Sequence, residues 1–378
     1  MRRFWYSFAV LLLISGMVLV ACAAPSAPSP APSPQTPSTG SPAPAGPVSD
    51  ARAQLLEAAY KEGEVQLWAN TFDNQAKVLK PFHDKYPGIT VKVWDASTGN
   101  DVINKLVEEG KAGKVSGDIF FSGEGDLVTA ITAGVMAEYP WDNDDWPNQP
   151  DTKLYINYGT NPRLPAFNTN VIPVDQGPKS WEDMATNRWV GKSPVFSFSG
   201  EDGPLLFAYM WRLPGDVLNW AKAEKYWTDV VTNNKPAIVR GYSGPLELLV
   251  SGEYGIMLPV ASGRTVLEYA LIGAPIAIVP VGKTPGITQS LGMVKNPAHP
   301  NATKVFLDWF TSEGGQLSQI QENLIYAIDP EITKIARANI LLRDKYFIEV
   351  EPVPSKFYTP ENTERASDHH LRTAGVKR

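Results

Sequence analysis

The chain has 378 residues, enough for two lobes of ordinary size, and carries 34 Lys and Arg against 40 Asp and Glu, for a formal net charge of −6. It has no basic run outside its extreme ends, which argues against nucleic acid as a partner because phosphate binding requires clustered Lys and Arg. One cysteine and four histidines exclude an internal disulfide and leave little for a metal site, so we expect neither a bound metal nor a cofactor.

Residues 1–22 have the pattern of a secretory signal. A positively charged start, Met1–Arg3, precedes the almost wholly apolar stretch Phe4–Val20. The ending Leu19-Val20-Ala21-Cys22 resembles the lipobox of bacterial lipoproteins, whose cysteine becomes the lipidated N-terminus after cleavage. An ordinary signal peptide with a chance cysteine is the alternative. We therefore expect lipidation at Cys22, with the acyl chains holding an extracytoplasmic protein at the cell membrane.

Residues 23–48 form a linker rich in Pro, Ser and Ala, with no aromatic residue and almost no charge. Such a segment cannot bury a core and tends toward extended polyproline II conformation. The expected architecture is therefore a folded part that is tethered to the membrane by this linker.

Three strand–loop–helix units follow each other between residues 64 and 139. The predicted strands are Glu64–Ala69, Ile89–Trp94 and Asp118–Phe121, and each ends in a small polar loop that begins a helix. Ligands of open α/β sheets bind beyond the carboxyl ends of the strands, where helix N-termini offer unpaired N–H groups. The loops supply these candidate ligand-binding residues: Asn70, Phe72, Ser97, Thr98, Ser122, Gly123 and Glu124.

The same pattern recurs later in the chain, after the predicted strands Pro194–Phe198, Ala237–Arg240 and Gly255–Pro259. The candidate ligand-binding residues here are Ser199, Tyr242, Ser243, Ser262 and Arg264. Each serine taken alone is more simply a helix cap, and Arg264 could equally pair with Glu268 one turn further along its helix. Helix N-termini together with an arginine favour an anionic ligand.

Two further segments carry open interpretations. The acidic, aromatic stretch Tyr139–Asp151 is predicted to be a loop that packs Trp141 and Trp146 on the domain, although a calcium loop is the alternative. The polar tail from about Arg365 is expected to fray.

Several short stretches, taken in order, resemble the extracellular solute-binding proteins of ABC importers, in the subgroup that contains ferric-iron-binding proteins. No single stretch is specific, but the ordered series covers most of Ser49–Leu324. The stretches are Ala59–Val65, Phe82–Gly88, Gly117–Ile119, Pro165–Asn170, Pro178–Asp183, Val250–Gly255, and His299–Ala302 through Glu313-Gly314.

The resemblance implies a two-lobed, periplasmic-binding-protein-like α/β fold in which each lobe is a mixed sheet flanked by helices. Crossover strands join the lobes, and a ligand closes them by a hinge motion. The first lobe would comprise residues 49–157 plus about 283–325, and the second 158–282 plus about 326–378 with the tail. The implied partners are a small-molecule ligand and an ABC permease, and the protein would be a monomer and not an enzyme.

The resemblance also bears on the cargo. Iron-binding members use a pair of adjacent tyrosines where this sequence has Ala261-Ser262, and their carboxylate ligand falls near Gly123, one position before Glu124. Because ferric iron needs hard anionic oxygen ligands, we expect a small organic anion instead: a carboxylate, phosphonate or sulfonate. The alternatives are ferric iron held by other ligands and a ligand-sensing subunit for a membrane receptor. An extracytoplasmic enzyme is disfavoured because no Gly-x-Ser-x-Gly motif is present.

Overall fold

Strands and helices alternate through most of the folded part, which begins with a helix at Pro47. The structure is a computed structural model that describes residues 47–70, 72–96, 99–141, 146–147, 149–198, 203–240 and 243–375. The predicted signal peptide, its Cys22 and most of the predicted linker therefore lie outside the described residues. Within the described part, no helix is long and apolar enough to cross a bilayer.

The strands are numbered in chain order. They are β1 (Glu64–Asn70), β2 (Thr90–Ala96), β3 (Ile119–Gly123), β4 (Met136–Ala137), β5 (Ile156–Asn168), β6 (Pro194–Phe198), β7 (Ala237–Arg240), β8 (Ile256–Ser262), β9 (Ile276–Ile278), β10 (Lys283–Val294), β11 (Tyr326–Ala327) and β12 (Glu349–Pro352).

The helices are numbered in the same way. They are α1 (Pro47–Glu62), α2 (Gln75–Val78), α3 (Lys80–Lys85), α4 (Gly99–Lys111), α5 (Glu124–Thr132), α6 (Trp181–Met184), α7 (Gly203–Met210), α8 (Trp220–Asn234), α9 (Ser243–Ser251), α10 (Gly263–Leu271), α11 (Pro300–Phe310), α12 (Glu313–Asn323), α13 (Arg337–Ile340) and α14 (Pro360–Ala374). Short 3₁₀ turns lie between some of them, including Ser355–Phe357.

The strands form two mixed sheets that share β5. In the first sheet the order is β2-β1-β3-β10-β5, with β1 parallel to both of its neighbours and β10 antiparallel to β3 and β5. In the second sheet the order is β5-β8-β6-β7, with β6 parallel to β7 and β8 and antiparallel pairing of β5 with β8. Hence the parallel strands β1–β3 present their carboxyl ends, with the loops that follow them, at one edge of the first sheet.

Strand β5 is the connection between the two sheets. Its residues 156–162 pair with β10, and its residues 163–167 pair with β8. The sequence predicted two shorter strands, Leu154–Tyr158 and Pro165–Asn170, where the structure has one strand of 13 residues. The backbone stays extended through the change of partner because β10 and β8 each continue the hydrogen bonding where the other stops.

Aromatic residues dominate the core of each sheet. Phe82, Phe121 and Phe306 are fully buried or nearly so in a cluster on the first sheet, whereas Phe207 and Trp227 lie in a separate cluster on the second. Buried aromatic side chains of this size contribute most to core stability because they remove the largest apolar areas from water. The predicted packing of Trp141 and Trp146 is seen, since both are buried against the first sheet.

The expectation that the tail frays is wrong. Residues 360–374 form α14, which packs on α7 and α8. Its Ala366, His370 and Ala374 recur every four residues and are buried. Three positions at this spacing make one helix face, and the polar residues around them obscure that face in the composition.

Candidate ligand-binding site

Arg264 links the two halves of the molecule. It is the second residue of α10, next to the second sheet, and its Nη2 forms an ion pair with Oδ2 of Asp73 in the loop after β1 of the first sheet. The Arg264 side chain is only 12% exposed and that of Asp73 is 53% exposed. The buried Nε of Arg264 has no hydrogen-bond partner among the described residues. The predicted alternative, a pair between Arg264 and Glu268, is replaced by this contact across the molecule.

The start of α10 is held on strand β5. A Cβ atom at Gly263 would overlap the carbonyl oxygen of Pro162, so only glycine allows the helix to approach the strand this closely. Asn161 Nδ2 donates to Ser262 Oγ at 3.2 Å, and the Arg264 N–H donates to Asn161 Oδ1 at 3.4 Å. The Ser262 hydroxyl therefore binds Asn161, and it makes no side-chain cap hydrogen bond to α10. This packing fixes the direction in which Arg264 leaves the helix.

The loop after β1 divides its residues between the core and the surface. Asn70 is the last residue of β1, opposite Ala96. Phe72, predicted to form an apolar wall of the ligand site, is fully buried, and its ring meets that of Phe121 edge-on at 4.9 Å between centroids. In this conformation Phe72 is part of the core, and the residue of the loop that reaches toward α10 is Asp73.

The loop after β3 presents a buried carboxyl group. Glu124, the first residue of α5, is completely buried, and its Oε1 accepts hydrogen bonds from the Tyr155 hydroxyl at 3.0 Å and Asn157 Nδ2 at 2.8 Å. Burial raises the pKa of Glu124 to about 7, against the opposing effect of these hydrogen bonds. Gly123 precedes it as the N-cap residue. Glu124 is thus fully enclosed in this conformation.

The N-terminus of α4 already has an acidic neighbour. The Ser122 hydroxyl donates to Asp126, and a Cβ atom at Gly99 would overlap the Asp126 carboxylate. The carboxylate therefore lies against the first residue of α4, where the helix dipole favours negative charge. An anionic ligand at this helix end would have to share it with Asp126.

Several predicted site residues lie outside the part of the chain that the structure describes. Ser97, Thr98, Ser199 and Tyr242 lie outside the described residues, and so does the side chain of Ser243 at the start of α9. Their part in ligand binding stays a prediction. Of the predicted set, the structure brings Ser262 and Arg264 together around Asn161. Ser122 and Glu124 are buried with other partners, Asp126 for Ser122 and Tyr155 for Glu124.

Sequence reasoning missed Asp73 and Asn161. Asp73 lies in the same polar loop as the predicted Phe72, so its position carried a signal, but nothing in the sequence identified its partner. Asn161 follows a run of extended residues and gave no signal of its own, since its role depends on where α10 packs. Among the described residues, no group of three or more His, Cys, Asp or Glu side chains could hold a metal ion.

Solved structures with the same fold are two-lobed periplasmic binding proteins. The substrate-binding protein of an ABC transporter from Agrobacterium tumefaciens is 14% identical, with a TM-score of 0.68 over 82% of this chain and 94% of that one. AfuA from Actinobacillus pleuropneumoniae, solved with fructose 6-phosphate, is 14% identical, with a TM-score of 0.63 over 83% and 99%. Iron-bound HitA from Pseudomonas aeruginosa is 17% identical, with a TM-score of 0.62 over 83% and 99%. These likenesses establish the predicted two-lobed α/β fold.

The sequence itself identifies the family. The profile of the bacterial extracellular solute-binding protein family matches residues 69–317, and the chain belongs to that family. No curated protein matches the sequence. The protein is therefore the solute-binding component of an ABC importer and acts outside the cytoplasm, and its family serves transport, not catalysis. The predicted resemblance is confirmed.

Proposed function

We propose that this protein closes its two lobes around a small organic anion and delivers that anion to an ABC permease. The observation that carries the proposal is the guanidinium of Arg264, which is held at a helix N-terminus and already faces a carboxylate from the other lobe. A hydrogen bond to a charged group contributes about 1.5–3 kcal/mol, and a helix dipole adds roughly 0.3–1 kcal/mol. A carboxylate, phosphonate or sulfonate on the ligand suits this position.

The cargoes of similar structures support an anion without deciding it. AfuA was solved with fructose 6-phosphate, an organic anion, whereas HitA was solved with iron. Ferric iron remains the second candidate cargo. We favour the organic anion because Ala261, which is fully buried, and Ser262 occupy the positions where the resemblance implies a tyrosine pair.

A thermal-shift screen of the folded part, residues 47–378, tests the proposed cargo. We expect carboxylates, phosphate esters, phosphonates or sulfonates to raise the melting temperature, since a ligand that binds only the native state stabilises it by mass action. Arg264→Ala should remove most of this shift. Arg343→Ala is the matched control, because Arg343 forms an exposed ion pair with Asp344 far along the chain. Stabilisation by polyamines, thiamine or ferric ions alone would refute the anion proposal.

Mass spectrometry of protein purified without refolding gives an independent measurement. Any small molecule that stays bound through purification would be released by denaturation and identified by mass. An organic acid or phosphate ester fits the proposal, and a cationic ligand does not.

We further propose that the remaining predicted site residues face the closed cleft. These are Asn70, Phe72, Ser97, Thr98, Ser122, Gly123, Glu124, Ser199, Tyr242, Ser243 and Ser262. The basis of this proposal is that these residues lie in or beside the loops at the carboxyl ends of strands, where ligands of open α/β sheets bind. Because Phe72, Ser122 and Glu124 are buried in this conformation, their participation requires that the ligand-bound state differ from it locally.

We also propose that the protein is a monomer held at the cell membrane by lipid on Cys22. The lipobox-like run Leu19–Cys22 and the proline-rich linker support this. Full-length protein should partition into detergent, and Cys22→Ala should move it into the aqueous phase or leave it unprocessed. Pull-down of an ABC permease fits transport, and recovery of a membrane receptor instead would favour the sensing alternative.

A further inference from the structure

The ion pair between Arg264 and Asp73 joins an element of the first sheet to an element of the second. Asp73 lies in the loop after β1, on the first sheet, and Arg264 lies at the start of α10, beside the second. In the described ranges, Asp73 is the acidic residue that pairs with Arg264. The contact therefore occupies the guanidinium that the proposed function assigns to the ligand.

The two partners differ in how firmly they are held. Arg264 starts from a helix end that is locked on β5 through Gly263 and Asn161, and its side chain is 12% exposed. The Asp73 side chain is 53% exposed, and the next residue, Asn74, adopts a left-handed conformation with φ of 51°. The arginine is thus pre-positioned, whereas the aspartate can turn away into water at little cost.

We propose that Asp73 is a built-in competitor for the ligand: its carboxylate binds Arg264 in the unliganded protein, and the ligand's anionic group displaces it. This inference rests on the proposed function, because it takes the ligand to be an anion. A carboxylate side chain presents the same two oxygens as a ligand carboxylate, so one can replace the other on the guanidinium. The Asp73 carboxylate then sets the affinity that an anion needs in order to displace it from Arg264.

The predicted sign is the reverse of that for an ordinary binding residue. Asp73→Asn removes the competing charge but keeps a side chain of the same size, so anions should bind more tightly. A half-exposed ion pair is weak, and its loss should therefore tighten binding by about two- to five-fold. Arg264→Ala should abolish binding of the same anions.

Isothermal titration with citrate and fructose 6-phosphate, together with any anion found in the thermal-shift screen, tests the inference on the folded part, residues 47–378. The variants are Asp73→Asn and the control Asp84→Asn, which removes the same charge from an exposed pair with Lys80. Circular dichroism melts verify that each variant is folded. Tighter binding in Asp73→Asn but not in Asp84→Asn supports the inference. So does binding that is detectable only in Asp73→Asn.

Other outcomes separate the inference from the proposed function. If wild-type protein binds an anion and Asp73→Asn binds it equally or more weakly, Asp73 is not a competitor, while the anion cargo still stands. Weaker binding restricted to ligands that also carry an ammonium group would instead make Asp73 part of the binding site. If neither protein binds any anion, the proposed function fails, and the competitor fails with it.

Discussion

Glu124 is a single residue at which burial has a larger effect on the pKa than the helix position and hydrogen bonds of the carboxyl group. A carboxylate at the first residue of a helix is stabilised by the helix dipole, and two hydrogen bonds to Oε1 favour its charged form as well. Its complete burial nevertheless raises its pKa to about 7. The group is therefore a neutral acid at mildly acidic pH and becomes a buried charge above neutrality.

This shift predicts a pH-dependent stability. In the unfolded chain a glutamate titrates at about 4.3, so between pH 4.3 and 7 the native state holds a proton that the unfolded state has lost. Stability from this group is complete below about pH 4.3 and is lost as the pH rises through 7, by about 3–4 kcal/mol at most. Glu124→Gln should remove this loss. Urea unfolding of both proteins at pH 5, 6, 7 and 8 measures it.

The comparison has a clear failing result. If the difference in free energy of unfolding between Glu124→Gln and wild type stays constant from pH 5 to 8, Glu124 does not titrate in that range. Asp84→Asn, which neutralises a surface carboxylate, is the control for general charge effects.

At the scale of elements, the contact between α10 and β5 decides where Arg264 points. The helix rests on the strand at Gly263, and Asn161 on the strand holds the residues on both sides of that glycine. The arginine's position is thus a property of a helix–strand junction and not of Arg264 alone.

Gly263→Ala tests this junction. The added methyl group would overlap the Pro162 carbonyl and approach the Leu164 side chain, so α10 must move away from β5. We expect a loss of stability of about 1–3 kcal/mol, as for other overpacked sites, and weaker anion binding because Arg264 moves with the helix. Gly244→Ala is the matched control, since Gly244 also lies in the first turn of a helix, α9, and its Cβ would have open space. Equal effects of the two substitutions would contradict the proposed role of the junction.

Helix α14 contains a second buried titratable group. His370 lies between Phe196 and Trp227, with ring centroids 5.7 and 5.4 Å away, and burial lowers its pKa to about 4. An imidazole in the unfolded chain titrates at about 6.5, so the unfolded state gains a proton first on acidification. The neutral histidine's contribution is complete above about pH 6.5 and is lost as the pH falls toward 4.

Replacing His370 by Leu should therefore reduce the loss in free energy of unfolding that acidification causes below about pH 6.5. Wild type should lose up to about 3 kcal/mol between pH 6.5 and 4 through this group, and His370→Leu should not. Thermal melts at pH 4.5, 5.5 and 6.5 compare the two. His83→Leu serves as the control, because His83 lies on α3 at the other sheet. A parallel decline in wild type and His370→Leu would show that α14 is not the acid-sensitive element.

For the whole molecule, the shared strand β5 predicts joint unfolding of the two lobes. Residues 47–378 form one compact unit, and β5 supplies hydrogen bonds to both sheets. Calorimetry should show one transition for the folded part, which a bound anion moves to higher temperature as a whole. Two resolved transitions, of which the anion shifts only one, would contradict joint unfolding.

Local patterns predicted most elements of the fold. Ser180 caps α6 by accepting from the Asp183 N–H at 3.2 Å, and Pro81 lies in the first turn of α3, where proline is tolerated. Element boundaries moved by a few residues. The single strand β5 and helix α14 were missed because both depend on neighbours that are distant in sequence.

By itself, the sequence determined that this is a two-lobed solute-binding protein, since hydrophobic periodicity, capping residues and ordered family motifs are local features. It also singled out Arg264 and Ser262 as strand-end groups. Only the tertiary structure decided that Arg264 faces Asp73, which lies 191 positions earlier in the chain. It also decided that Phe72 and Glu124 are buried. Pairing and burial of side chains are set by how helices and strands pack, and no local pattern contains that information.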